Sequence, residues 1–203
     1  MASTGPMAED RAVLAGKIRE LIDALVLADA GTADLAGAAE QVEKATAALR
    51  PHGRDSPLLV TQLADGMWLS INNPVEGPGN PLAPPVRWTY LGEDAVRARV
   101  DFAAAHEGPP GRVHGGWAAA VLDHVVGRAV AAAGFPSMTA SLTLDYHAGT
   151  PYGVPVDAEG SLVRREGRKV HATGRLLADG QATVTATAIL VTFDTSGITP
   201  AVG

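Results

Sequence analysis

Cysteine is absent from the 203 residues, which excludes disulfides, thiolate nucleophiles and cysteine-based zinc sites. Aromatic residues are few, three each of Trp, Tyr and Phe. Positive charge is in deficit: 16 Lys and Arg face 22 Asp and Glu, a formal net charge of −6. Nucleic acids and anionic membranes need a basic surface, so neither is an expected partner. No apolar run approaches the ~20 residues of a spanning helix. The first ten residues lack a basic stretch followed by an apolar core, so the expected location is the cytoplasm. The six histidines are scattered without a His-Glu-x-x-His spacing, so no metal or other cofactor is expected, and no serine stands in a Gly-x-Ser-x-Gly elbow.

What is abundant is alanine, glycine and β-branched residues in ordered patterns. Trp117 to Ala133 is apolar or small almost throughout, broken by Asp123, His124, Gly127 and Arg128, and reads as a helix buried on most of its circumference. Ahead of it stands Gly111-Arg-Val-His114-Gly115-Gly116. Glycines at a helix start leave the free backbone N–H groups open to a ligand, and the helix dipole favours negative charge there. Asp123 is the only acid between Glu107 and Asp145, and a carboxylate on a buried helix is costly unless paired, hydrated or neutralised. Gly116 and Asp123 are seven residues apart, roughly 10 Å along a helix axis. One helix cannot apply both to a single carbonyl carbon. Two helices related by a two-fold axis can, which predicts a site shared between subunits.

Alternation defines the sheet. Ala95 to Phe102 puts Val96, Ala98, Val100 and Phe102 on one face, and Arg87 to Leu91 reads as a short strand before it. After the helix, alternating segments run from Thr139 to His147, Val156 to Arg165, Lys169 to Ala178 and Ala182 to Asp194, with turns at Glu166-Gly167 and Asp179-Gly180. An α+β fold follows, with a curved antiparallel sheet of five or six strands around one long central helix. Residues 1–50 form a helical extension, with helices over Ala8–Ala28 and Ala33–Leu49. Residues 51–85 form a linker and irregular loop region rich in Pro and Gly, and 86–203 the main domain.

His-Gly-Gly, seven further residues to Asp, then helix and four strands, resembles the hotdog-fold acyl-CoA thioesterases, in the branch of phenylacetyl-CoA-type thioesterases and thioesterase superfamily members. The resemblance covers about Val86 to Asp194. It implies a hotdog fold, an acyl-CoA substrate with no separate cofactor, and a homodimer or homotetramer with sites at the subunit interface. It implies that Asp123 is the catalytic carboxylate, as nucleophile or general base, that the Gly116 N–H is the oxyanion donor, and that His114 shapes the turn. A family hydroxyl maps onto Thr139 or Ser141. Gly115 and Trp117 would border the substrate. Gly108, Pro109 and Pro110 stand where some relatives carry an Asn or Gln that assists the carbonyl, which leaves His106 as a substitute.

Each residue also has a plainer reading. Asp123 can be a structural carboxylate in an interface, the glycine pair a tight turn, His114 a turn anchor, and Trp117 core. His124 points about 100° away from Asp123 around the helix and reads as structural. Arg164, Arg165, Arg168 and Lys169 put four cations on one hairpin tip. Such a run is usually a solvated turn, but arginine forks suit the phosphates of coenzyme A. Two alternatives to hydrolysis stay open, an acyl-CoA sensor or carrier without turnover and a hotdog hydratase or dehydratase. A protein with a vestigial site is a third.

Overall fold

The computed structural model describes residues 6–55, 60–62 and 68–194. The ends of the expected extension and main domain, 1–5 and 195–203, and parts of the expected linker region, 56–59 and 63–67, lie outside the described residues, as does the side chain of Trp68.

A six-stranded antiparallel sheet carries the fold, built from β3 (Val86–Leu91), β4 (Ala95–Asp101), β5 (Ser137–Tyr146), β6 (Pro155–Glu166), β7 (Lys169–Ala178) and β8 (Gln181–Thr192) in the order β3-β4-β6-β7-β8-β5. Apart from this sheet, β1 (Val60–Gln62) pairs antiparallel with β2 (Trp68–Ser70), in a stretch whose sequence shows no clear periodicity. The β7–β8 turn forms as Asp-Gly chemistry dictates, with Asp179 and Gly180 at φ of 50° and 75° and both central residues left-handed. The neighbouring β6–β7 turn centres on Gly167, at φ 60°.

The helix α3 (Gly115–Ala132) lies on the concave face of this sheet. Val121, Leu122, Val125, Val126, Ala129 and Val130 are at most 1% exposed, and they meet Val96, Val100, Val156, Val170, Leu176 and Leu190 from the strands. Each of the valines and leucines contributes about 1.5–3 kcal/mol on burial. The helix can come close because Gly160 on β6 pairs with Gly174 on β7 directly beneath it. A Cβ at Gly160 would stand 2.6 Å from the Val125 carbonyl oxygen, and one at Gly174 would stand 2.9 Å from a Val126 methyl.

Two helices precede the sheet, α1 (Pro6–Leu27) and α2 (Thr32–Leu49), as the periodicity predicts. α1 buries Ala8 and Ala15, and it is anchored where Arg19 donates to the Asn80 carbonyl at 3.0 Å and Asp23 accepts from the Ala105 N–H at 3.1 Å. α2 buries no residue. Among the described residues no helix is long and apolar enough to cross a membrane.

Candidate active site

The turn entering α3 is held from several sides. The Val113 N–H donates to the Thr150 carbonyl and the His114 N–H to the His106 carbonyl, both at 2.8 Å. Gly108 lets His114 close in, since a Cβ there would sit 2.8 Å from the His114 Cα. His114 is the N-cap: its Nδ1 accepts the Gly116 N–H at 3.0 Å. That bond uses the donor expected to hold an oxyanion. The N–H left without a partner among the described residues is that of Gly115. The imidazole occupies one orphan donor of the helix start, so the open backbone donor at this turn lies one residue earlier than the resemblance implies. Gly115 is further framed by Tyr146, whose hydroxyl donates to the Gly115 carbonyl at 3.0 Å and whose ring lies within 3.4 Å of where a Gly115 Cβ would stand.

Beyond the turn, one face of α3 is left open by small residues: Gly116, Ala119, Ala120, Gly127 and Ala131 are half-buried or exposed. Asp123 stands on this face. Its side chain is half-buried, and Oδ1 is inaccessible to solvent with no hydrogen-bond partner. A buried carboxylate oxygen in that state is costly unless another molecule or subunit satisfies it.

Its neighbour His124 points elsewhere, as the helical wheel requires. His124 Nε2 lies 3.2 Å from Glu76 Oε2. Arg128 grips the same carboxylate through Nη2 to Oε1 and through Nε to Oε2 at 3.1 Å, and the Trp88 indole N–H donates to it at 2.9 Å. Burial alone would raise the Glu76 pKa, but His124 and Arg128 together hold it below the usual carboxylate value. Residues 72–85, expected as an irregular loop, thus tie down the flank of α3 opposite Asp123. Nothing in the sequence singles out Glu76.

The two candidate hydroxyls separate. A register shift between Thr139 and Ser141 breaks the simple alternation of β5. Thr139 pairs with the buried Leu190 and stands on the helix side of the sheet, whereas Ser141 pairs with Ile189 and faces the outer surface beside His171 and Thr187. Ser141, expected beside the substrate with Thr139, therefore does not share a face with it. Trp117 is half-buried, packed on the core and on the His106 ring at 4.8 Å.

Arg164, Arg165, Arg168 and Lys169 cluster at the β6–β7 tip, at the C-terminal end of α3, far from Gly115. Arg165 lies over the Phe135 ring at 4.6 Å and donates to the Gly167 carbonyl at 2.8 Å. Arg164 pairs with Glu166, and Arg168 donates to the Thr192 carbonyl. Part of their charge therefore stabilises the hairpin itself. Among the described residues no group of three His, Asp or Glu side chains is placed to hold a metal ion.

The fold agrees with what comparison finds. A model of the thioesterase superfamily matches residues 110–185. The crystal structure of a thioesterase superfamily protein is 36% identical over 89% of this chain and 94% of that one, with a TM-score of 0.80. The chain belongs to the thioesterase superfamily.

Acyl-coenzyme A thioesterase THEM4 of Xenopus laevis is 41% identical over 64 residues, 32% of this chain and 29% of that protein, so the chain spans under a third of this relative. A hypothetical thioesterase with coenzyme A from Streptococcus pneumoniae shares the fold at 15% identity and a TM-score of 0.51, over 53% of this chain and 88% of that one. Zebra fish thioesterase superfamily member 2 does so at 17% identity and 0.54, over 61% and 93%.

Proposed function

We propose that the protein is an acyl-CoA thioesterase acting as a cytoplasmic homodimer, or as a pair of such dimers. The observation that carries this reading is the unpartnered buried oxygen of Asp123 on an open helix face, on the same helix as the partnerless Gly115 N–H. The two are eight residues apart, about 12 Å along α3, so a single protomer does not bring both to one carbonyl. A second copy packed antiparallel on the small-residue face supplies the missing half.

In that arrangement the thioester oxygen accepts from the Gly115 N–H at the positive end of one α3, where developing negative charge is stabilised. Asp123 from the other subunit either takes a proton from the attacking water or attacks the carbonyl carbon directly. On the first route the C–S bond of the tetrahedral intermediate breaks, the acid departs, and the CoA thiolate takes up the proton held by Asp123; on the second the C–S bond breaks to leave an acyl-aspartyl anhydride, which water then hydrolyses to release the acid and restore Asp123. His114, with Nδ1 accepting, holds the turn rather than carrying the proton. Tyr146 fixes the Gly115 peptide plane from its carbonyl side. Thr139, on the helix side of the sheet, is the hydroxyl retained as a candidate. The cationic β6–β7 tip lies toward the C-terminal end of α3, and with antiparallel helices it faces the site headed by the other subunit's turn. The phosphates of CoA would meet it there.

The test is release of CoA thiol from a panel of acyl-CoA esters by wild type and Asp123→Asn. Turnover that drops ~10²-fold or more in a folded variant supports the assignment. Equal rates in both would overturn it. Tight binding of CoA esters without turnover would instead favour a sensor or carrier.

A further inference from the structure

A cavity of about 450 Å³ opens beside the start of α3, on the flank that Trp117 occupies. Its walls come from separate parts of the chain: Gly16 and Ile22 on α1, Leu82 on the loop, Phe102 at the end of β4, His106 on a 3-10 turn (Ala104–His106), and Trp117. The volume falls within the range of small-molecule sites, and the lining is mostly apolar. Trp117 directly follows Gly116, so the cavity starts two residues from the open Gly115 amide. α1 closes it from outside, anchored by the Arg19 and Asp23 bonds described above.

One polar group in this lining is buried and incompletely bonded. His106 is 6% exposed, and its ring is fixed edge-on against Phe102 at 5.6 Å and Trp117 at 4.8 Å. Nδ1 accepts the Ala103 N–H at 3.0 Å, which places the ring proton on Nε2. That donor has no partner among the described residues. Burial lowers the pKa of the ring and keeps it neutral. The charged groups around the cavity are engaged: Asp23 with the Ala105 N–H, Arg19 with the Asn80 carbonyl, Glu20 with Lys17 at 2.9 Å, and Asp101 with Arg87 at 2.6 Å. Glu20, Asp23 and Asp101 line the cavity against one cation, Arg19, an excess of negative charge that disfavours an anionic group.

We infer that this cavity receives the acyl portion of the thioester, and that it favours an uncharged acyl group with an apolar body and one hydrogen-bond acceptor for His106 Nε2–H. The inference rests on the thioesterase reading for its placement of the carbonyl at Gly115. It makes α1 part of the specificity pocket rather than a mere appendage.

The test separates this from catalysis by measuring binding. Non-hydrolysable 2-oxoalkyl thioethers of CoA, of increasing chain length, are titrated calorimetrically into wild type and Gly16→Leu. A Cβ at Gly16 meets nothing closer than the Arg19 guanidinium at 4.0 Å, and leucine favours the helix, so the variant should fold while filling the cavity. In wild type each methylene should tighten binding about threefold to fourfold. In Gly16→Leu the gain should stop at a shorter chain, with the shortest thioether bound equally by both. The same chain-length dependence in both proteins, or no binding by wild type, overturns the inference. A hydroxyl along the chain should tighten binding in wild type and lose that advantage in His106→Asn, whose amide oxygen can still accept from Ala103. No hydroxyl preference in wild type removes the role given to His106. Thioether binding without release of thiol from any ester would sink the hydrolase reading and leave the cavity assignment standing.

Discussion

Two carboxylates sit against α3, Asp123 on the helix itself and Glu76 on the loop beside His124 and Arg128, and they live in opposite electrostatic circumstances. His124 joins Arg128 and the Trp88 indole around Glu76, a carboxylate whose side chain is 4% exposed and multiply bonded. Asp123, one residue before His124, has a buried oxygen that nothing among the described residues satisfies. The comparison teaches how to tell a polar group that the fold uses from one that it holds in reserve. The first is closed on itself, whereas the second is complete only with another molecule present.

Four experiments break or sharpen that contrast. The largest effect is expected at Glu76→Ala, which leaves Arg128 buried without its counter-ion. A loss of about 3–5 kcal/mol in denaturant unfolding follows, and a loss under 1 kcal/mol would show that the flank is not closed as described. Next comes Asp123→Asn, with thiol release down ~10²-fold or more, about 2.7 kcal/mol of barrier, and no fall in melting temperature, because no partner is lost. A variant that melts early and still turns over would reverse the two roles.

A pH titration separates the pair further. The Glu76 pKa is depressed in the folded state, so its stabilisation is present above the ordinary glutamate value and lost as pH falls through the folded value. Glu76→Gln should flatten the acid limb of the stability curve, and an unchanged limb would remove Glu76 from the account. The smallest effect belongs to the cap. His114→Ala should cost about 1 kcal/mol while freeing the Gly116 N–H. If thiol release survives within a few-fold, His114 is a turn anchor; a loss as deep as that of Asp123→Asn would make it part of the chemistry.

Much of this molecule was legible before its coordinates. Val96, Ala98, Val100 and Phe102 announce one buried strand face by alternation, and Asp179-Gly180 announces its hairpin through left-handed backbone. The run from Trp117 to Ala133 announces a buried helix, and an isolated acid within it marks Asp123. What escaped depends on contacts between distant residues or on one-residue details. Glu76 reaches Arg128 from 52 positions away in a loop without periodicity. The bulge in β5 turns Ser141 away from Thr139, although strict alternation would keep them together. The Gly116 N–H is the natural donor to choose by resemblance, but the sequence does not show that the His114 ring two residues back takes it up. Tyr146 ends a strand like many exposed tyrosines, and only the fold brings it to Gly115.

The paired glycines beneath α3 carry a further consequence. Gly160 and Gly174 set the depth at which the helix rests, and in a symmetric assembly that depth is imposed on both copies at once. Adding one methyl there would move the helix outward in each subunit, so misalignment across the interface would grow with the sum of two displacements. In the dimer proposed above, the gap between Asp123 of one subunit and the Gly115 amide of the other would thus be gauged on the far side of the helix from either group. Mutational screens confined to the cleft would miss it, and β6 and β7 are where a loss of rate with every cleft residue intact should be sought.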